Sequence, residues 1–380
     1  MKGTPPILPG STIGVLGGGQ LGAMLLAEAR RMGYKVHAMD ADADAPCAKR
    51  ADRFVHAPLS DVAAAAKMAE GCDVVTIETE HVAPEVLEEL AKRHATRPGA
   101  GVVRHINDRL AQRQFLEKHG LPQPKWAAVD DLESLEAGLA KVGAPAILKT
   151  RKGGYDGKGQ IRIKSAKEAA AAWAKQPHPA VLEAFVPFEK EVSVVLARGA
   201  DGEVAAWPLA ENVHKNGILH TTMVPASVPP AVADAALAIA TKAVTALGHV
   251  GVAAVELFLA DGKLLVNEVA PRTHNSGHVT LGGSATSQFE QHLRAICGLP
   301  LGDTAMPRAT VMVNLLGDLW PAGGQPDWRA ILAEPKAKLH LYGKKVARPG
   351  RKMGHVLVQA DDAATALRLA EALHAGLRPR

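Results

Sequence analysis

Across residues 11–110 the apolar positions alternate between two spacings. Short apolar runs at 11–16, 35–39 and 73–78 read as strands, the last being DVVTIE. Between them, 20–32, 63–70 and 84–93 carry apolar residues at helical spacing, the third with proline in its first turn. This is the βαβαβ rhythm of a parallel sheet with helices on both faces. It ends near Asn107.

A helix at 108–119, closed by Gly120 and Pro122, opens a different pattern. Runs at 146–150 and 160–163 flank a glycine-rich loop and predict an antiparallel hairpin. An Ala-rich helix is expected at 166–175, strands at 181–186 and 191–196, and a long helix at 231–247. Strands at 252–259 and 263–269 bracket an Asp261-Gly262 turn. Strands and helices are mixed here, so this middle region is α+β. From about Thr304 a smaller third unit begins, with a strand at 309–315, a basic loop and a closing helix at 363–375.

The chain has 380 residues, more than one compact domain of about 100–200, which agrees with two or three units sharing an interface. We divide it at 1–107, 108–303 and 304–380. With 47% hydrophobic and 22% charged residues, 36 Gly and 25 Pro, it falls outside collagenous, coiled-coil and disordered classes. The Ala/Val-rich stretch 235–259 is cut by Lys242 and His249, so no membrane helix is expected. The opening MKGTPPILPGST lacks the apolar core of a signal peptide, and a cytoplasmic location is expected. Cys47, Cys72 and Cys297 are widely spaced with no CxxC pair, against both a disulfide framework and a structural zinc site.

Five motifs carry candidate chemistry. Gly17, Gly19 and Gly22 form a GxGxxG between a strand and a helix, a turn that presents backbone N–H groups to an anion. Asp40 stands about where a ribose-binding acid would in a dinucleotide site. The second cluster runs from Lys149 to Gln160 and packs four glycines into the predicted hairpin loop. It is not a P-loop, because no Gly-x4-Gly-Lys-Ser/Thr register fits and a strand follows. Such a loop can fold down over a triphosphate while Lys149 neutralises charge.

Third, Glu256 and Glu268 lie twelve residues apart on the two strands flanking Asp261-Gly262. To be direct cross-strand neighbours they require Ala260 to pair with Leu264 across a three-residue loop; a two-residue turn would put them on opposite faces. Two such acids side by side call for a cation, and oxygen ligands suit Mg²⁺. Fourth, Pro271-Arg-Thr-His-Asn-Ser-Gly-His278 follows directly and reads as an oxyanion clamp. Fifth, residues 336–355 hold seven Lys/Arg and no acid; without those seven, the +5 net charge becomes a slight deficit. The basicity is local, and glycine and proline turns favour a compact anion pocket over a nucleic-acid face.

With these motifs in view, the chain resembles the ATP-grasp superfamily and, within it, the 5-(carboxyamino)imidazole ribonucleotide synthases of purine biosynthesis. The resemblance runs from GGGQLG (17–22) through GGYDGKGQ (153–160) and NEVAPRTHNSGH (267–278) to RPGRKMGH (348–355). It implies a Rossmann-like preATP-grasp domain, an ATP-grasp domain with a lid at about 121–186, and a small C-terminal domain. It implies ATP and Mg²⁺, as two ions, with aminoimidazole ribonucleotide and bicarbonate as the other substrates. No nucleic-acid or membrane partner is implied, and a homodimer is.

By resemblance, Arg109 and Lys149 contact ATP phosphates, and Gly154, Tyr155, Asp156, Gly157, Lys158, Gly159 and Gln160 cover them. Glu183, Ala184, Phe185 and Val186 lie along the adenine, Glu191 takes the ribose hydroxyls, and His214, Asn267 and Glu268 complete the nucleotide site. Glu256 and Glu268 carry the metal. Gln20, Leu21, Glu78, Tyr155, Lys344 and Arg351 hold the ribonucleotide, with Tyr155 and Lys344 also near the chemistry. Arg272, His274, Asn275 and Ser276 clamp the bicarbonate-derived intermediate. The sequence departs from the superfamily at Ala270, where many members place a metal-binding Asn; here Asn267 precedes the second acid instead. Glu78 and Glu80 are expected to share one strand face, and either could reach substrate.

The implied reaction has bicarbonate attacking the γ-phosphate to give carboxyphosphate, whose carboxyl group, or the CO2 it releases, is captured by the exocyclic amine. A formate-dependent glycinamide ribonucleotide formyltransferase is the sister alternative. A nicotinamide-dependent oxidoreductase would use the first glycine turn and Asp40 but leave the other motifs without roles.

Overall fold

The structure is a computed structural model and describes residues 5–154 and 159–377. The first sheet is parallel, in the order β3-β2-β1-β4-β5, from β1 (Thr12–Leu16), β2 (Lys35–Asp40), β3 (Arg53–His56), β4 (Val74–Ile77) and β5 (Ala95–Thr96). Helices Gln20–Arg31, Val62–Ala69 and Pro84–Ala91 follow the predicted rhythm, and β3 and β5 are additions at the edges. Both edge strands are short and half-exposed, which is why their apolar signal is weak.

The second sheet is antiparallel, in the order β6-β9-β7-β8: β6 (Trp126–Val129), β7 (Ala146–Thr150), β8 (Gln160–Ile163) and β9 (Ala180–Ala184). Helix Leu132–Val142 covers it, started by an Asp131/Ser134 capping box that satisfies backbone donors on both sides of the cap. The hairpin β7–β8 has the bounds the sequence predicts.

The third sheet dominates the molecule. Its main path is β15-β14-β10-β12-β13-β16-β18-β17, with β11 on β10. The strands are β10 (Lys190–Arg198), β11 (Val204–Ala206), β12 (Ala210–Lys215), β13 (Ile218–Val224), β14 (Gly251–Ala260), β15 (Lys263–Ala270), β16 (Ala309–Leu316), β17 (Ala337–Leu341) and β18 (Lys352–Ala360). Because β13 pairs with β16, the residues after 304 extend this sheet and form no sheet of their own. The basic segment 336–355, expected as a loop, is β17, a turn region, and the first residues of β18. In Ala337-Lys338-Leu339-His340-Leu341, Ala337 and Leu339 pack into the C-terminal core, while Lys338 and His340 take the opposite face, where His340 stacks on buried His355.

Alternation sorts the two faces of this sheet. Val192, Val194, Val255 and Leu257 pack under helix Pro230–Ala246, so Glu191, Ser193 and Glu256 face the other way. Helix Gln288–Cys297 joins the first sheet to the third through buried His292. Val252 N–H donates to His292 Nδ1 at 3.0 Å, so the proton sits on Nε2 and is donated to Thr76 Oγ1 at 2.8 Å. Burial pushes this imidazole down to about 3, which keeps it neutral.

Candidate active site

The glycine turn after β1 does bind an anion, but the anion belongs to the protein. Gly19 N–H donates to Glu78 Oε1 at 2.8 Å, Gly22 N–H to Glu78 Oε2, and Gly18 N–H to Asp40 Oδ2 at 2.6 Å. A Cβ at Gly17 or Gly19 would overlap the Glu78 side chain, so these glycines make room for a carboxylate against a helix N-terminus. The donors a dinucleotide pyrophosphate would need are thus committed, which removes the basis of the oxidoreductase reading. Leu21 packs its side chain into the core beneath the first sheet, and Gln20 opens the helix beside it.

Glu78 and Glu80 do not share a strand face: β4 ends at Ile77, and the two acids leave it in different directions. Glu80 makes a two-pronged pair with Arg272, through Nε and, at 3.0 Å, Nη2. Burial would raise Glu80, but Arg272 overrides it and holds the carboxyl down to about 2. The arginine expected as a free clamp is therefore oriented by an acid from the first sheet.

Glu256 and Glu268 are direct cross-strand neighbours, by a route the sequence reading did not foresee. The turn has two residues, with Asp261 (φ 49°) and Gly262 (φ 70°) both left-handed, and Ala260 pairs with Lys263, not Leu264. Pairing stays regular to Leu257 and Val266, then a bulge absorbs Asn267 and brings Glu268 opposite Glu256. One extra residue flips the face, which a three-residue loop would otherwise have done.

Burial first, and then the Glu268 charge, push Glu256 up to about 7. Such a pair suits a hard divalent cation, and these residues fit Mg²⁺. Arg109 Nη2 lies 3.9 Å from Glu268 Oε2, and His274 Nε2 lies 3.5 Å from Glu256 Oε1. Burial and then Arg272 lower His274 to about 3, so it is neutral; its Nδ1 accepts from Ser276 N–H at 3.3 Å, leaving the proton on Nε2, toward Glu256.

On the nucleotide side, Lys149 Nζ donates to Glu183 Oε2 at 2.7 Å and lies 3.4 Å from Asn267 Oδ1. Arg113 Nε donates to Glu183 Oε1 at 2.8 Å, and its Nη1 and Nη2 donate to the carbonyls of Val266 (2.9 Å) and Asn267 (2.6 Å). Arg113 is fully buried and grips both the lid strand β9 and the bulge in β15. Burial would raise Glu183, yet Arg113 and Lys149 bring it down to about 2; burial lowers Lys149. Glu183 therefore offers its carboxylate to this network, and only its backbone and the following Ala184, Phe185 and Val186 are left to line a base. Glu191 Oε2 meets His214 Nδ1 at 2.5 Å, and that pairing raises His214 against the effect of burial.

Arg113 was missed by the sequence reading. The signal was present: Gln112 and Arg113 share the buried face of helix Arg109–Lys118 with Phe115 and Leu116, where polar residues need a reason. Gln112, Arg109, Thr150, Arg151, Gly154 and Glu268 line a pocket that also includes Glu80. Around the site, Gln112 Oε1, Arg109 Nε and both polar atoms of Asn275 are buried with no partner among the described residues. Each such atom costs about 1–3 kcal/mol unless a ligand meets it. Tyr155, Asp156, Gly157 and Lys158 lie outside the described residues; Gly159 and Gln160 lead into β8.

The basic turn region closes the third side. Burial and then Arg351 push Lys344 down to about 8, while Glu78 opposes them; its Nζ donates to the Lys352 carbonyl at 2.9 Å. Arg351 Nη1 donates to the Val346 carbonyl at 2.8 Å, and Lys345 pairs with Asp44 of the first sheet's loops.

A small antiparallel lid beside a larger sheet that bears paired acids, with cations between them, defines an ATP-grasp ligase. Family models agree: an ATP-grasp domain over residues 114–289, a ribonucleotide synthetase preATP-grasp domain over 11–107, and a phosphoribosylaminoimidazole carboxylase C-terminal domain over 310–369. The chain is 48% identical to the N5-carboxyaminoimidazole ribonucleotide synthase of Brucella melitensis, covering 92% of this chain and 96% of that one. It is 42% identical to that of Bacillus subtilis, covering 92% of each. The crystal structure of the Thermus thermophilus synthetase superposes with a TM-score of 0.89 at 41% identity, covering 97% and 99% of the two chains. The Aspergillus clavatus enzyme in complex with ADP and 5-aminoimidazole ribonucleotide gives 0.88 at 33%, covering 97% and 98%. The chain belongs to the N5-carboxyaminoimidazole ribonucleotide synthase family.

Proposed function

We propose that this protein uses ATP and bicarbonate to carboxylate the exocyclic amine of 5-aminoimidazole ribonucleotide, giving N5-carboxyaminoimidazole ribonucleotide, ADP and phosphate. The observation that carries it is the placing of the His274–Ser276 loop and its orphaned Asn275 against the Glu256–Glu268 pair, with Lys344 near Glu78 on the acceptor side. The family relatives favour this reading over the formyltransferase. ADP release should require both aminoimidazole ribonucleotide and bicarbonate; release that needs formate and another ribonucleotide would overturn it.

The residues divide the work. Lys149 and Arg109 neutralise phosphate charge under the 154–160 loop, including Tyr155, Asp156, Gly157 and Lys158. Glu191 and His214 hold the ribose, and the strand end 183–186 lines the base. Glu256 and Glu268 would hold Mg²⁺, which when bound neutralises phosphate charge. Arg272, held by Glu80, and Asn275 orient bicarbonate, and neutral His274 presents an N–H toward the reacting oxygens. Closure over this set excludes water from carboxyphosphate. Transfer of labelled bicarbonate oxygen into phosphate is expected, and its absence would remove the carboxyphosphate step. Gln20, Leu21 (through its backbone), Glu78, Lys344 and Arg351 bind the ribonucleotide. A cytoplasmic homodimer, with domains at 1–107, 108–303 and 304–380, completes the proposal.

A further inference from the structure

We propose that His220, Glu371 and His374 form a binding site for a first-row transition-metal ion of the Zn²⁺ kind, away from the nucleotide site. One donor atom from each of the three lies within 4.8 Å of the other two. His220 is the residue that the bulge between β12 and β13 leaves over: Val213 pairs with Thr221 and His214 with Leu219. His220 Nε2 already meets Glu371 Oε1 at 2.9 Å. Glu371 and His374 are three apart on helix Ala363–Ala375, which places them on one face.

The chemistry selects the ion. Two imidazoles and one carboxylate suit Zn²⁺ or Co²⁺, whereas Mg²⁺ prefers an all-oxygen shell. Tetrahedral bonds of about 2.0–2.2 Å put ligand atoms about 3.4 Å apart, so a gap of up to 4.8 Å must close by about 1.4 Å while the 2.9 Å contact of His220 Nε2 with Glu371 Oε1 opens by about 0.5 Å. Glu371 and His374 can supply that movement, because both are partly exposed, whereas His220 is buried and fixed. Their exposure also leaves an entry path and room for water as a fourth ligand. His374 sits in the last helical turn, where the helix dipole favours a cation. Among the described residues, Lys215 competes: its Nζ lies 3.4 Å from the same Glu371 oxygen, on a side chain that is 56% exposed and can swing away. An ion here would clamp the C-terminal helix to the β12–β13 hairpin, which carries His214 on its way to Glu191.

The test is titration of the full chain with Co²⁺ in excess Mg²⁺, followed by visible absorption, with thermal melting in Zn²⁺ alongside. One equivalent of Co²⁺ with ligand-field bands is expected, and Zn²⁺ should raise Tm. His374→Asn and Glu371→Gln should each weaken binding by more than about tenfold and abolish the Tm shift, without altering ADP release measured with Mg²⁺ alone. Lys215→Met should tighten it. Absence of the bands, or affinities unchanged in both His374→Asn and Glu371→Gln, would overturn the assignment. Because both lie at the exposed end of a helix, loss of binding in them reports on the ligands and not on unfolding.

Discussion

The two sides of the active-site seam are built on opposite principles. Around Glu183 every charge is answered within the protein: Arg113 and Lys149 share one carboxylate, and Arg113 also donates to two carbonyls and the Gln123 side chain. Around Glu256 the protein leaves matters open, with two acids facing each other and Asn275, Gln112 and Arg109 holding polar atoms that meet no partner among the described residues. The first arrangement fixes where lid strand and sheet meet. The second is costly until substrates arrive, and binding then recovers that cost.

The sharpest break of this contrast is Arg113→Met. It strands Glu183 beside Lys149 in a buried site and should cost about 3–5 kcal/mol, read as a large fall in apparent Tm. Glu256→Gln should do the reverse: kcat falls by about 10²–10³-fold in steady-state assay, while the ligand-free chain melts no lower than the parent. Should Glu256→Gln destabilise the ligand-free chain, the open side would be structural after all.

The next effect is in pH. Glu256 has a folded value above its ordinary one, so the folded chain holds the extra proton and stability falls as pH rises from about 4.5 through about 7. Glu183 is depressed, so its contribution is complete above about 4.5 and is lost as pH falls toward 2. Melting curves should therefore show opposite slopes on the two sides of about pH 4.5. Glu256→Gln should flatten only the upper one, and Mg²⁺ with ADP should flatten the same limb. Smallest is Asn275→Ala, expected to lower kcat/KM about tenfold with bicarbonate as the varied substrate and to leave Tm within about 1 °C, since its side chain holds no hydrogen bond to the described residues.

The sequence announced the contrast unevenly. The acids 256 and 268 and the loop after them stood out because charge in an apolar strand is conspicuous. Strands β12 and β13 went unseen, because Asn212, His214, His220 and Thr222 interrupt the apolar beat with residues that the site and its surroundings use. The GxGxxG revealed that an anion sits at the turn but not whose, since Glu78 lies 56 residues beyond Gly22 and nothing local links them. Arg113 was hidden for a similar reason: its partners come from 70 and 154 residues away.

The bulge at Asn267 makes the distance between the two acids a matter of counting. Regular pairing alternates parity, so any single insertion or deletion between 257 and 267 changes odd to even and turns one acid out of the site, while a change of two restores it. That hairpin is therefore held to its length as well as to its buried residues, and in a collection of related chains its gaps would come only in pairs.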